Sequence, residues 1–196
     1  TSLNALGLIY SSLGDYERAL EIDLECLALR EKLVGKEHHD YSISLNNLAL
    51  TYSRLGDYDK ALDINLECLA LRNKILGKKH PAYANILSNL GMTYYYIGEL
   101  EKALETNLQC LALREKLFGK EHQDYTVSLN NLASTYSKLG YYETSLDMLL
   151  ECLASKKKNL GKEHIDYAWS LNNLAYTYSY LGDYEKALEM ISENLN

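Results

Sequence analysis

The sequence predicts an all-α chain built as a solenoid of stacked helix pairs, and three observations carry that expectation. Gly14, Gly56, Gly98, Gly140 and Gly182 recur every 42 residues, as do Cys26, Cys68, Cys110 and Cys152. A fixed period of roughly 20–50 residues marks a repeat architecture, in which each unit buries its apolar face against its neighbours. Within each period the apolar residues follow helical spacing, and a glycine closes each helical run. No stretch alternates apolar and polar residues as a strand would.

The first helix of a repeat, helix A, is expected in the second unit from Asp40 to Leu55. Leu45, Leu48, Ala49 and Tyr52 fall on one face at i, i+3, i+4 and i+7. Asp40, with Asp124 and Asp166 in later copies, is the expected N-cap, because a carboxylate accepts from the free amides of a first turn. Gly56 ends the helix in the left-handed conformation. Asp57 then caps helix B, as Asp15 and Asp183 do, whereas Glu99 and Tyr141 suit that role less well.

Helix B is expected from about Tyr58 to Leu76, with Ala61, Leu62, Leu66, Cys68, Leu69, Ile75 and Leu76 on its buried side. Gly77 stops it, and Gly35, Gly119 and Gly161 repeat the signal; Pro81 suits a first turn. The chain is therefore expected to form a single solenoid over 1–196, with repeats at 1–39, 40–81, 82–123, 124–165 and 166–196. The first and last of these are incomplete. Thr1 falls inside a helix A, so the chain reads as a piece of a longer protein.

Composition narrows the function. An apolar content of 47% supports a packed core. A net charge of −7 and a pI near 5.3 argue against a nucleic-acid partner, since phosphate binding needs clustered Lys and Arg. No apolar run approaches the ~18 residues of a membrane helix, so no membrane partner is expected. The cysteines occupy one equivalent position per repeat, without the close spacing of a zinc site. Free thiols of this kind suit a reducing compartment, and the expected location is cytoplasmic. Neither metal nor cofactor is expected.

The run Leu48, Ala49, Tyr52, Gly56, Tyr58, Ala61 and Leu62 resembles a tetratricopeptide repeat. The longer period, with LNNLA, GDYDKAL, CLALR and LGKKHPAY, is similar to the 42-residue repeats of the kinesin light chain type. Two departures stand out. The aromatic of mid-helix B is replaced by Asp23, Asn65, Asn107 and Leu149, and the late helix-B proline is absent. The resemblance implies a right-handed α-solenoid of stacked helix A/helix B hairpins whose A helices line a concave face. It also implies binding of an extended peptide or partner protein there, in a cargo or adaptor role.

That face would carry Asn46, Leu50 and Arg54; Met92 and Tyr96; Asn130 and Lys138; and Trp169, Asn172, Tyr176 and Tyr180, with Asn47, Asn89, Asn131 and Asn173 along its edge. Asparagine carries a donor and an acceptor, so a row of them can pair with an extended backbone. Equally, the same amides can tie each A helix to the adjacent repeat. The charged residues of helix B, such as Glu17, Arg18, Glu21, Glu25, Arg30, Glu31 and Lys32, are expected on a solvated outer face.

His38, His80, His122 and His164 are expected to bond backbone at helix ends rather than a metal. No nucleophile–base pairing, phosphate loop or inward carboxylate pair appears, so no enzyme is expected. The departures from repeat symmetry are Tyr95, Tyr96, Trp169, Tyr176, Tyr180 and the Ser155–Lys158 patch, which read as recognition or drift. A structural spacer that associates end to end through its incomplete terminal repeats is the rival reading.

Overall fold

The computed structural model describes residues 2–195, with backbone alone for 194 and 195. The expected repeat ends at Thr1 and Asn196 lie outside the described residues. Among the described residues there are ten α-helices and no strand. The A helices are α1 (Ser2–Ser12), α3 (His39–Arg54), α5 (Pro81–Ile97), α7 (Gln123–Lys138) and α9 (Ile165–Tyr180). The B helices are α2 (Tyr16–Val34), α4 (Tyr58–Leu76), α6 (Leu100–Phe118), α8 (Tyr142–Leu160) and α10 (Tyr184–Leu195).

The helices gather into two compact units, Thr1–Glu99 with α1 to α5 and Leu100–Asn196 with α6 to α10. Within each unit, every helix packs on the next one in sequence. Such nearest-neighbour packing is how repeat folds distribute their stability.

The A-to-B turn explains the regular start of helix B. Gly56, at φ 79°, follows Leu55 and closes α3 with a Schellman motif: the Gly56 amide donates to Ser53 at 3.2 Å and the Asp57 amide to Tyr52 at 3.0 Å. Asp57 then serves a second helix, its Oδ1 accepting from the Lys60 amide at 3.3 Å. Asp15 and Asp183 repeat this cap. Tyr141 makes no side-chain cap bond.

The B-to-A turn corrects one expectation. Asp40, Asp124 and Asp166 lie inside the first turn, and the cap is the histidine before them. Nδ1 of His38, His122 and His164 each accepts from that aspartate's amide at 3.1 Å, and His80 does the same for Ala82. Accepting at Nδ1 places the imidazole proton on Nε2. The expected histidine role at helix ends is therefore met, and it displaces the aspartates from the cap.

Two further expectations fail on helix B. Arg30 is not on a solvated face; it is only 8% exposed and donates to the Asp40 carbonyl at 2.7 Å and to Ser44 Oγ at 2.9 Å. Arg114 bonds Asp124 and Ser128 equivalently, and Arg72 reaches the Ala82 carbonyl. The guanidinium thus pins the following A helix by its first turn. Leu66 is 42% exposed rather than buried, and Leu24, Leu108 and Leu150 repeat that exposure.

The core holds Tyr41, Leu45, Cys68 and Ile86 in the first unit, and Leu129, Leu149, Leu171 and Leu174 in the second. A polar layer runs through it. Where the aromatic of mid-helix B is missing, Asp23 accepts from Thr51, Asn65 donates to Thr93 and Asn107 donates to Thr135. Buried polar atoms are tolerated when bonded in this way. Leu149, the fourth occupant, is apolar and buried.

Candidate functional site

The face of each A helix opposite its buried leucines carries the asparagine rows. They are half-buried and joined to one another. In the first unit Asn47 Nδ2 donates to Asn4 Oδ1 at 2.7 Å, and Asn89 Nδ2 to Asn46 Oδ1 at 3.2 Å. In the second unit Asn173 Nδ2 donates to Asn130 Oδ1 at 3.3 Å. Each bond spans 43 residues, one repeat plus one position, so the edge row of one A helix reaches the inner row of the previous one. The ladder fixes the spacing between A helices and occupies the Oδ1 acceptors of Asn46 and Asn130. Asn131 and Asn172 are also half-buried on this side.

Around the ladder in the first unit, Leu50 and Arg54 are exposed on α3 and Met92 is half-buried on α5. Tyr96 is exposed on one face only; its other face stacks on Tyr58, with centroids 4.9 Å apart and planes 9° from parallel. In the second unit Lys138 is exposed in the last turn of α7. Tyr180 repeats the stack with Tyr142 at 5.0 Å and 4°. Sequence reasoning missed Tyr58 and Tyr142. The signal was available: each opens a helix B 38 residues before its partner, and both pairs recur two repeats apart.

Three exposed aromatics gather on α9. Trp169, Tyr176 and Tyr180 are 61%, 70% and 65% exposed at i, i+7 and i+11, which places them along one side of the helix. Between α9 and α10 lies a cleft of about 510 Å³, lined by Asn172, Ala175, Tyr176, Tyr184, Leu188 and Ile191. Large aromatics present much contact area for little lost side-chain freedom.

The charges stand off this stripe. Lys186 pairs with Asp183 at 2.8 Å and Lys162 with Glu193 at 2.7 Å. Among the described residues no three metal-ligating side chains come together, and no helix is long and apolar enough to cross a membrane. Burial pushes the Cys68 thiol up to about 11 and the Cys152 thiol to about 12, so both stay protonated and unreactive at neutral pH.

Comparison with known proteins places this geometry. A kinesin light chain-like protein of nearly identical TPR-like repeats from Podosopora anserina superposes with a TM-score of 0.79 at 25% identity, over 98% of this chain and 92% of that one. BtubC (BKLC) from P. vanneervenii superposes with a TM-score of 0.82 at 22% identity, over 98% and 76%. The MamA protein shares the fold at a TM-score of 0.61 and 15% identity, over 100% and 89%. No curated protein matches the chain by sequence. The family model described as tetratricopeptide repeat matches residues 1–74, 54–116, 98–158 and 124–193. With the repeated helix pairs, the glycine turns and these overlapping matches in hand, the chain belongs to the tetratricopeptide repeat family.

Proposed function

We propose that this chain is an interaction scaffold that takes an extended peptide or partner protein along its helix-A faces, by binding without chemistry. Repeats of this family generally mediate protein–protein contacts, which supports the coarse reading. The observation that carries the finer one is the exposed α9 stripe of Trp169, Tyr176 and Tyr180, set beside the half-buried Asn172 and Asn173. Tryptophan and tyrosine dominate binding hot spots, and a preformed rigid helix face lowers the entropy lost on association. The asparagine rows divide the work: Oδ1 of Asn130 braces the array, while exposed side chains around it meet the partner. The remaining expected positions, Asn46, Asn47, Leu50, Arg54, Asn89, Met92, Tyr96, Asn131 and Lys138, belong to the same proposal, as do a single 1–196 array and a cytoplasmic location.

The test is capture on an immobilised peptide library with the chain and its Trp169→Ala/Tyr176→Ala variant. Selective capture that the variant loses, at unchanged helicity by circular dichroism, supports the reading. Equal capture by both removes the α9 stripe from it.

One observation favours a second reading, a self-assembling spacer. The cleft of α9 and α10 exposes Leu188 and Ile191 beside Tyr184, an apolar surface that a second copy could cover. If the chain captures no peptide, and Leu188→Lys/Ile191→Glu abolishes self-association in sedimentation, that reading takes over.

A further inference from the structure

Three replacements in one repeat coincide with a cavity. At the positions where helix B carries Leu71 and Ile75, or Leu113 and Leu117, the fourth copy has Ser155 and Asn159. Beside them, Arg30, Arg72 and Arg114 give way to Lys156. Leu71 packs against the cluster of Tyr41, Leu45, Cys68 and Ile86. In α8 the smaller serine and the narrower lysine leave space instead, a cavity of about 410 Å³. It lies among the first half of α7, the last half of α8 and the start of α9, with Thr126, Val127, Asn130, Ser155, Lys156 and Asn159 in its wall.

The donors in this wall are not used up. Lys156 takes over the arginine's partners, donating to the Asp166 carbonyl at 3.2 Å and to Ser170 Oγ at 2.9 Å. An ammonium has three donors, so one N–H remains. Thr126 and Ser155 share a single hydrogen bond at 3.0 Å, which leaves one hydroxyl hydrogen. Of the two carboxylates at the rim, Glu121 is paired with Lys158, and Asp166 is a charge neighbour of Lys156 itself. Burial works against the Lys156 charge, holding its pKa below the usual lysine value, so an anion brought beside it would be favoured.

We propose that this cavity is a carboxylate-binding subsite, with Lys156 as the cationic donor, the Thr126–Ser155 pair as the hydroxyl donor, and Val127 with Leu160 holding the aliphatic stem. The carboxylate belongs to a partner chain, from an Asp or Glu side chain or from a C-terminus. The subsite rests on the reading of the α7 and α9 faces as partner-binding surfaces, since Asn130 lines both. The other repeats carry the longer leucine and the forked arginine at the positions of Ser155 and Lys156.

The test uses three small probes on the full ¹⁵N-labelled chain, followed by NMR at the amides of residues 126, 155, 156 and 159. N-acetylglutamate amide carries a side-chain carboxylate, N-acetylglutamine a terminal one, and N-acetylglutamine amide none. The expected result is saturable shifts at these amides with at least one carboxylate probe, at least tenfold tighter than with the neutral amide. Which acid wins identifies the source of the carboxylate. The variant Ser155→Leu/Lys156→Arg/Asn159→Leu restores residues that other repeats already tolerate, so it folds, and it should abolish the shifts. Three outcomes would overturn the subsite: no saturable shift with either acid, equal binding of the neutral amide, or shifts that persist in the restored variant. Failure of peptide capture at Trp169 and Tyr176 would leave these probe titrations unaffected, so the two proposals fail separately.

Discussion

Thr51 donates its hydroxyl to the buried carboxylate of Asp23 at 2.7 Å, and one repeat later the polarity reverses, with the Asn65 amide donating to Thr93 at 3.1 Å. The geometry is the same and the charge is not. A carboxylate in this layer loses hydration that an amide does not need, and a single hydroxyl donor compensates only part of it. Burial accordingly raises the Asp23 pKa above its ordinary 3.8, partly offset by the Thr51 bond.

Asp23→Asn should therefore stabilise the fold at pH 7, by about 1 kcal/mol, the order of one buried hydrogen-bond adjustment. The sign follows from linkage. Because the folded pKa is raised, the folded state binds more protons than the unfolded state just above pH 3.8, so stability falls as pH rises through that window. Urea denaturation as a function of pH should show this slope in the parent chain, with the Asp23 contribution gone in the variant.

Tyr141 stands where Asp15, Asp57 and Asp183 cap their helices, and it offers no acceptor to the first turn of α8. Tyr141→Asp should add about 1 kcal/mol. For a chain of this size that corresponds to roughly 2–4 °C in thermal midpoint. An unchanged or lowered midpoint would mean that the edge-on contact of Tyr141 with Tyr136, at 6.0 Å, outweighs the missing cap.

Arg30 should separate two roles of a buried cation. Arg30→Leu strands the Asp40 carbonyl and Ser44 without their donor, at a cost of about 2–3 kcal/mol. Arg30→Lys keeps one donor for both acceptors, as Lys156 does for Asp166 and Ser170, and should cost only about 1 kcal/mol. Chemical denaturation of the two variants side by side checks the order.

The α9 helix should divide cleanly into a face for packing and a face for contact. Trp169→Ala and Tyr176→Ala, both at exposed positions, should change stability by less than about 0.5 kcal/mol each. Leu171→Ala, at a position only 1% exposed, should cost about 2–4 kcal/mol. A large loss from Trp169→Ala would assign the tryptophan to the scaffold rather than to a partner surface.

The helices, their pairing and their turns were legible from the chain alone, because they depend on local rules repeated every 42 residues. Leu45, Leu48 and Ala49 declare a buried face by spacing, and Gly56 followed by Asp57 declares a turn by conformation and capping. The histidines were legible as helix-end residues. Choosing between His38 and Asp40 as the cap was not, since both can accept from a first-turn amide and only the backbone path decides which one reaches.

What tertiary structure alone decided is which polar groups meet. Arg30 sits among charged neighbours in sequence, yet its long side chain turns inward because two unfilled acceptors lie ten and fourteen residues on. The asparagine rows were visible as rows, but the pairing of Asn47 with Asn4 and Asn89 with Asn46 depends on the offset between adjacent A helices. The Ser155, Lys156 and Asn159 replacements were visible as broken symmetry, and only packing shows that they leave a space. The sequence by itself determined the repeat, its helices and its family; three-dimensional packing decided the partners of its polar side chains. The physical reason is range: helix periodicity and capping act within a few residues, while a hydrogen bond between neighbouring helices depends on distances that no local pattern encodes.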